Sequence, residues 1–422
     1  MRIDSTNVDK YFSSIGVSKF WSEKGTPEIK MHKIHSYPAK FPSLVVEKSL
    51  EFAKQRDIEV KKISDVFCGC GTTALEAQIN KIDFWGCDIN PVATLISKVK
   101  SRVYDIELLK SYYTGIKNYY LSNDIKINQD LADHERLNYW FESSQIKDLN
   151  KLLVSIQEVT PKGKYQEFFL CAFSNILKKS SRWLTKSIKP QIDPDKKTFS
   201  VFKSFKRQFK KMLEANEEAK EYFKSSITSE IETSNFLELN FDKPFTDLVI
   251  TSPPYVTSYE YADLHQLSTL WLGYVDDYRD LREGTIGSLY HSELDDEDLG
   301  SLPQLGQRIV SRMEKIDSRK ARMVAKYFYD IKSSVSNVYN MVNEGGLAVF
   351  VIGNTKYSNV KVDNARFLTH CMLGGGFKNI EVFKRKISSK ILTPYRDEKG
   401  RFSNNKTDRK VYSHEFIVTG IK

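Results

Sequence analysis

Several things are scarce or missing in this sequence, and each gap removes a class of function. No apolar run approaches the roughly 18 residues that would suggest a membrane-spanning helix. The opening stretch, MRIDSTNVDKYFSS, has no apolar centre of a secretory signal, so a cytoplasmic location with no membrane partner is expected. Cysteine is limited to Cys68, Cys70, Cys87, Cys171 and Cys371. Their odd number and scattered spacing argue against a disulfide framework. Cys68 and Cys70 have no second Cys/His pair at a useful distance, so no metal site is expected, and all five read as small buried residues. No G-x-x-x-x-G-K-[ST] loop is present to cradle a polyphosphate. There is no internal repeat.

What is present suits a large globular chain. With 422 residues and 40% hydrophobic content, it can build a real core as two or three domains, or as one domain with an insertion. Lysine and arginine number 64 against 54 acidic residues, a net charge of +10. The excess is concentrated. Residues 178–211 hold twelve Lys or Arg against Asp193 and Asp195 alone, which equals the excess of the whole chain. Such a stretch is the footprint of a polyanion partner or, more simply, a solvated helix face.

The pattern along the chain predicts an interrupted α/β fold. ISDVF at 63–67 reads as a buried strand, CGCGTT as a tight glycine turn, TALEAQIN as a helix, and DFWGCD at 83–88 as a strand ending on an acid. From 105 to about 225 apolar residues fall at helical spacing: Phe169, Ala172, Phe173 and Ile176, then Phe202, Phe205, Phe209 and Met212. Strands are expected again at SEIETSNF and TDLVITSPPY. A helix with Leu264, Leu267, Trp271 and Tyr274 on one face follows, then a mobile loop at 284–305. Val324 to Val342 marks a long amphipathic helix, which NEGG should stop as a glycine C-cap. LAVFVIGN and SHEFIVTGI read as late strands.

Two stretches carry chemistry. In DVFCGCG, Gly69 and Gly71 allow close approach of backbone to a ligand. The third glycine of a dinucleotide loop is missing, so a nucleoside without a pyrophosphate fits better. Asp88 ends the next strand, where a carboxylate can accept hydrogen bonds from both ribose hydroxyls. The alternative is a plain glycine turn. In TSPPY, Pro253 and Pro254 lack N–H groups and hold the chain extended just past a strand. The carbonyls before them and Ser252 offer acceptors, and Tyr255 offers a flat ring. Together they suit a planar group bearing an amine, such as a nucleobase flipped out of a duplex. The alternative is a Pro-Pro turn with a packing tyrosine.

Thr251-Ser252-Pro253-Pro254-Tyr255 resembles motif IV of the amino-methyltransferases of DNA, in the form most typical of cytosine-N4 enzymes. DVFCGCGTT resembles their motif I, CDINPVA motif II, HKIHSYPAKFP at 32–42 motif X, and NEGGLAVFVIGN a late strand. The resemblance covers about 30–104 and 226–422. It implies a Rossmann-like class I methyltransferase sheet with a mainly helical insertion: 1–104 carrying motifs X, I and II, 105–225 as the insertion and candidate target-recognition region, and 226–422 as the remainder. It also implies S-adenosyl-L-methionine as cofactor, double-stranded DNA as substrate, and a cognate restriction endonuclease sharing the site. Asp65, Phe67, Gly69, Gly71 and Thr72 would line the cofactor, with Asp88 on its ribose and Asn90 beside it. Lys40 and Pro42 would stand near its carboxylate, Ser234 and Asn235 near its adenine, and Thr251 at the base of the crevice. Ser252, Pro253, Pro254 and Tyr255 would hold the target base. Arg182, Lys186, Lys189, Lys203, Lys206 and Lys210 are the candidate phosphate contacts. The order X, I, II, insertion, IV resembles the alpha arrangement of the family. No Pro-Cys pair is present, so a C5-type thiol nucleophile is not expected. Adenine-N6 methylation, an RNA substrate and a non-catalytic nucleic-acid-binding module are the alternatives.

Overall fold

The computed structural model describes residues 3–4, 6–23, 25–38, 40–122, 125–256, 260–288, 296–387, 395–396, 402–403, 405, 409–410 and 413–422. At its centre is a seven-stranded sheet. The strands are β1 (Lys62–Asp65), β2 (Asp83–Asp88), β3 (Ser229–Thr233), β4 (Thr246–Thr251), β5 (Val342–Ile352), β6 (Lys378–Lys386) and β7 (His414–Ile421). Their order is β3-β2-β1-β4-β5-β7-β6. The first five are parallel, and β7 runs antiparallel between β5 and β6. This is the expected Rossmann-like class I methyltransferase sheet. Strands covered on both faces read as unbroken apolar runs, as Leu248-Val249-Ile250 and Leu347 to Ile352 do; all of these are buried.

Helices Ser318–Met341 and Asn364–Gly374 cover one face of the sheet, and helices Leu44–Lys54 and Thr72–Asn80 the other. Between β2 and β3 the chain is almost entirely helical. Helices Ile106–Leu121, Ser143–Val159, Lys164–Ser180 and Val201–Ala219 gather around Trp140, Phe168, Phe169, Phe173, Trp183, Phe205 and Phe209. The same cluster takes in Val92, Leu95, Ile96 and Val99 of helix Pro91–Lys100, and Leu267, Leu270 and Trp271 of helix Tyr261–Trp271. The insertion and the framework therefore share one core. All five cysteines are free and buried. Among the described residues no helix is long and apolar enough to cross a membrane.

Some expectations need correction. The long helix ends at Met341, with an extended Val342 as its C-cap, so NEGG is not a glycine cap. The chain passes directly from helix into β5. Asn343 donates to Asp247 Oδ1 (2.8 Å), and Gly345, at φ +76°, gives its N–H to Lys422 O (3.1 Å), so the glycine serves a bend at the strand's start. SEIETSNF stops as a strand at Thr233, because Asn235 Oδ1 accepts from Leu237 N (3.1 Å) and opens a 3-10 turn. TDLVITSPPY stops at Thr251, where the prolines supply no N–H for a ladder. The stretch expected as loop at 284–305 contains helix Asp296–Gly300 and leads into helix Gln304–Glu314; residues 289–295 of it lie outside the described residues. Strand β6 was not foreseen.

Candidate active site

The crevice forms where β1, β2, β4 and β5 deliver their carboxyl ends, the usual ligand position in a parallel sheet. Asp65 ends β1 and turns inward. Its Oδ1 accepts from Thr251 Oγ1 (2.7 Å) and Phe67 N (3.2 Å), and its Oδ2 from Thr73 Oγ1 (2.8 Å). Only 1% exposed, it ties the glycine loop to β4 and to helix Thr72–Asn80. Burial raises its pKa to about 6 against the hydrogen bonds from Thr251, Thr73 and Phe67.

The two glycines serve different ends. Gly71 sits at φ +75°, and a Cβ there would lie 2.4 Å from Ser97 Oγ; close packing of helix Pro91–Lys100 requires it. Gly69 sits at φ +48°, and a Cβ there would stand in ordinary contact with the Tyr37 ring at 3.7 Å. Its N–H reaches Asp88 Oδ2 at 2.9 Å, while Asp88 Oδ1 accepts from Asn90 N at 2.9 Å. Each Asp88 oxygen thus holds one backbone N–H and keeps a lone pair for a further donor. Burial raises the Asp88 pKa to about 6, against the N–H groups of Asn90 and Gly69. Such an acceptor pair suits the two hydroxyls of a ribose.

Several other expected residues surround this point. Asn90 caps helix Pro91–Lys100, accepting from Val92 N (3.0 Å). Thr72, at the start of its helix, reaches Phe41 O at 3.3 Å, and so brings the 32–42 stretch to the glycine loop. Pro42 O accepts from Val45 N at 3.0 Å. Lys40 pairs with Glu28 (3.1 Å) and donates to His32 O (3.3 Å). Ser234 N donates to Asp88 O (3.1 Å), and the Asn235 amide donates to Glu238 (2.7 Å) as well as capping. Phe67 packs edge-on against Phe236 at 5.9 Å.

Just past β4, Ser252 Oγ donates to Val351 O at 3.0 Å. Its single proton is thereby committed, and its lone pairs remain to accept from a donor, the Tyr255 phenol beside it or a ligand amine. The Tyr255 ring lies over Gly353, where a Cβ would stand only 2.9 Å from Cε2. Burial raises the Tyr255 pKa, with Glu415 adding to the shift, so the phenol stays neutral.

Tyr37 was quoted in the sequence but given no role. Its ring stacks on His265 at 4.9 Å and on Tyr261 at 6.3 Å, between the glycine loop and the helix that follows TSPPY. Only the fold brings those partners together. The segment holding Tyr37 is also pinned to the insertion. Gln208 donates to Ile34 O (2.6 Å), Ser36 N to Asn175 (3.0 Å), and His35 Nε2 lies 3.1 Å from Ser174 Oγ. Burial holds the pKa of His35 down to about 3, with His265 adding to the shift, and that of His265 down to about 4.

The basic residues lie on the insertion. Lys203, Lys206 and Lys210 stand exposed on helix Val201–Ala219, opposite the buried Phe205, Phe209 and Met212; Lys186 and Lys189 are exposed on the preceding loop. Others are committed to structure. Arg182 donates to the carbonyls of Asn138 and Tyr139, and Lys196 to those of Lys178 and Trp183. Among the described residues no group of His, Cys, Asp and Glu could hold a metal.

Sheet order and crevice define a protein of the class I methyltransferase fold. Over most of its length the chain is similar to type II methyltransferases: 23% identical to M.MvaI of Kocuria varians, across 92% of this chain and 89% of that one. It is 24% identical to M.BsoBI of Geobacillus stearothermophilus, across 77% of this chain and 74% of that one. No family model matches. Among solved structures, the rRNA methyltransferase aviRa from Streptomyces viridochromogenes aligns with a TM-score of only 0.27 at 9% identity, covering 100% of this chain and 94% of that one.

Proposed function

We propose that this protein transfers a methyl group from S-adenosyl-L-methionine to the exocyclic N4 amine of cytosine in duplex DNA, as the modification enzyme of a restriction-modification system. Likeness to type II methyltransferases supports the class of reaction. The observation that carries the site is Ser252, an acceptor by virtue of its bond to Val351 O, beside a neutral Tyr255 ring.

Asp88 would hold the ribose of the cofactor, with Gly69 giving it room and Asp65 keeping the loop in place. Bound S-adenosylmethionine would supply an activated methyl group. The chain's own residues do the rest. Tyr255 stacks on the flipped base, worth about 1–3 kcal/mol, which helps offset its extrusion. Ser252 and the carbonyl before Pro253 accept hydrogen bonds from the amine protons. They draw electron density onto a nitrogen whose lone pair is otherwise delocalised into the ring, and they stabilise the charge that develops there. Catalysis is positioning and electrostatics, with no covalent enzyme intermediate. Residues 105–225 would form the target-recognition region, with Lys186, Lys189, Lys203, Lys206 and Lys210 on phosphates. A restriction endonuclease reading the same sequence and a cytoplasmic setting go with this role.

Methylation-sensitive sequencing of DNA from a host expressing the protein tests the reading. N4-methylcytosine at one short sequence is expected. N6-methyladenine there would overturn the choice of base, and unmodified DNA would overturn the activity.

A further inference from the structure

The carboxyl edge of the sheet holds a charged pair that the site described above does not use. Arg385 on β6 is 2% exposed. Its Nε lies 3.1 Å from Glu415 Oε1, and Glu415 faces it in register on β7. That contact is an ion pair and does not meet hydrogen-bond geometry, and among the described residues neither Nε nor Nη1, both buried, has a hydrogen-bond partner. A buried guanidinium with a vacant donor is costly, and an incoming acceptor would relieve that cost.

Register gives the direction of that acceptor. On β7, Phe416 faces Ile352, the last residue of β5, and continuing that register one position past the strand brings Glu415 beside Gly353. Residues directly opposed in antiparallel strands share a face. Gly353, Glu415 and Arg385 are therefore neighbours in one row, and the missing side chain of Gly353 is where the Tyr255 ring lies. Ring, carboxylate and guanidinium follow one another along the edge, and Glu415 raises the Tyr255 pKa from within that row.

We propose that Arg385 is a specificity-determining residue: its vacant N–H donates to the ring carbonyl of a cytosine stacked on Tyr255, and Glu415 is the positioning residue that holds it. This rests on the reading given under Proposed function. Cytosine carries an amine on one edge and a carbonyl two ring positions away. Ser252 takes the amine, and a donor is needed for the carbonyl. Adenine has no carbonyl, so the same donor would disfavour it, because a site built to pair a polar group rejects a base that lacks it.

The test alters the substrate first, so protein folding does not enter. Duplexes carrying the sequence found in the sequencing experiment are prepared with the target cytosine, or with a carbon-linked 2-aminopyridine in its place, which keeps a neutral ring, the amine and the ring nitrogen beside it but has C–H where cytosine has the carbonyl. The unaltered protein should lose roughly 10- to 100-fold in kcat/KM on the analogue. Arg385→Met should lose a similar factor on cytosine and nothing further on the analogue, with cofactor affinity unchanged. Arg385→Met combined with Glu415→Gln should behave as the single variant does. Equal rates of the unaltered protein on both duplexes would overturn the role of Arg385 while leaving the cytosine reading intact. So would an equal loss by the variants on both. A methyl group found on adenine would overturn both together.

Discussion

At the scale of single residues, the site depends on carboxylates and ring faces held by backbone. Asp88→Ala removes the acceptor from both ribose hydroxyls. At roughly 1.5–3 kcal/mol for each of the two proposed hydrogen bonds to a charged group, S-adenosylmethionine binding should weaken by about a hundredfold or more. Unchanged affinity by calorimetry would take Asp88 out of the site. Gly353→Ala probes the other half. Its Cβ would push against the Tyr255 ring at 2.9 Å. A displacement of that kind can cost roughly 100-fold in turnover, and cofactor affinity should be unaffected. Steady-state kinetics set beside a cofactor titration separate the two, and parallel losses would make Tyr255 part of the general packing. The places in the fold of the glycine loop, of Asp88 at the end of β2 and of TSPPY around the end of β4 were legible in the sequence, because tight turns and strand ends need particular residue types. Tyr37 and Arg385 were not. Their significance lies in partners far along the chain, His265 for one and the Glu415–Gly353 row for the other.

At the scale of elements, apolar periodicity found whatever is buried on a regular face. Helix Val201–Ala219 was readable from Phe202, Phe205, Phe209 and Met212, and β4 and β5 from unbroken apolar runs. Strand β6 was missed because Lys378, Lys384, Arg385 and Lys386 mask the buried Ile380 and Val382. The exit from helix Ser318–Met341 was misread because a glycine pair resembles a cap when its strand-bend role is not visible. The same helix Val201–Ala219 supports a test of DNA contact. Replacing Lys203, Lys206 and Lys210 with Gln should flatten the dependence of log affinity on log salt by up to about 3, one unit per lost phosphate contact. Cofactor binding and sequence preference should survive. An unchanged slope would mean that these lysines merely solvate the outer face of the helix.

At the scale of the whole molecule, burial sets two pairs of groups against each other as pH changes. Asp65 and Asp88 titrate near 6, above the ordinary carboxylate value of 3.8, so folding favours their protonated forms. Their contribution to stability is present at low pH and is lost as pH rises through about 6. His35 and His265, held at about 3 and about 4 against an ordinary 6.5, act in the opposite sense, and acid costs stability below 6.5. With Asp88 as the proposed ribose acceptor, bound S-adenosylmethionine would prefer its ionised form. The rise in Tm that it confers should therefore be full at pH 7.5 and shrink by pH 5, with affinity falling about tenfold per unit well below the Asp88 pKa. Scanning calorimetry with and without cofactor measures this, and Asp88→Asn should remove the pH dependence. An increment that holds constant down to pH 5 would assign the ribose to another acceptor.

The core shared between insertion and framework bears on how such a chain can diversify. Trp271, Leu267 and Leu270 of the helix after TSPPY, and Leu95 and Val99 of the helix after Asp88, are buried against residues of 105–225. Excising those residues would leave the apolar sides of two framework helices facing water. Grafting a foreign segment would demand new complements to Trp271 and Leu95 before any sequence could be read. As the proposed recognition region, this insertion is not a detachable cassette. A lineage could shift specificity by substitutions on the outer faces of the insertion helices far more readily than by wholesale exchange, since the inner faces also hold up the catalytic half.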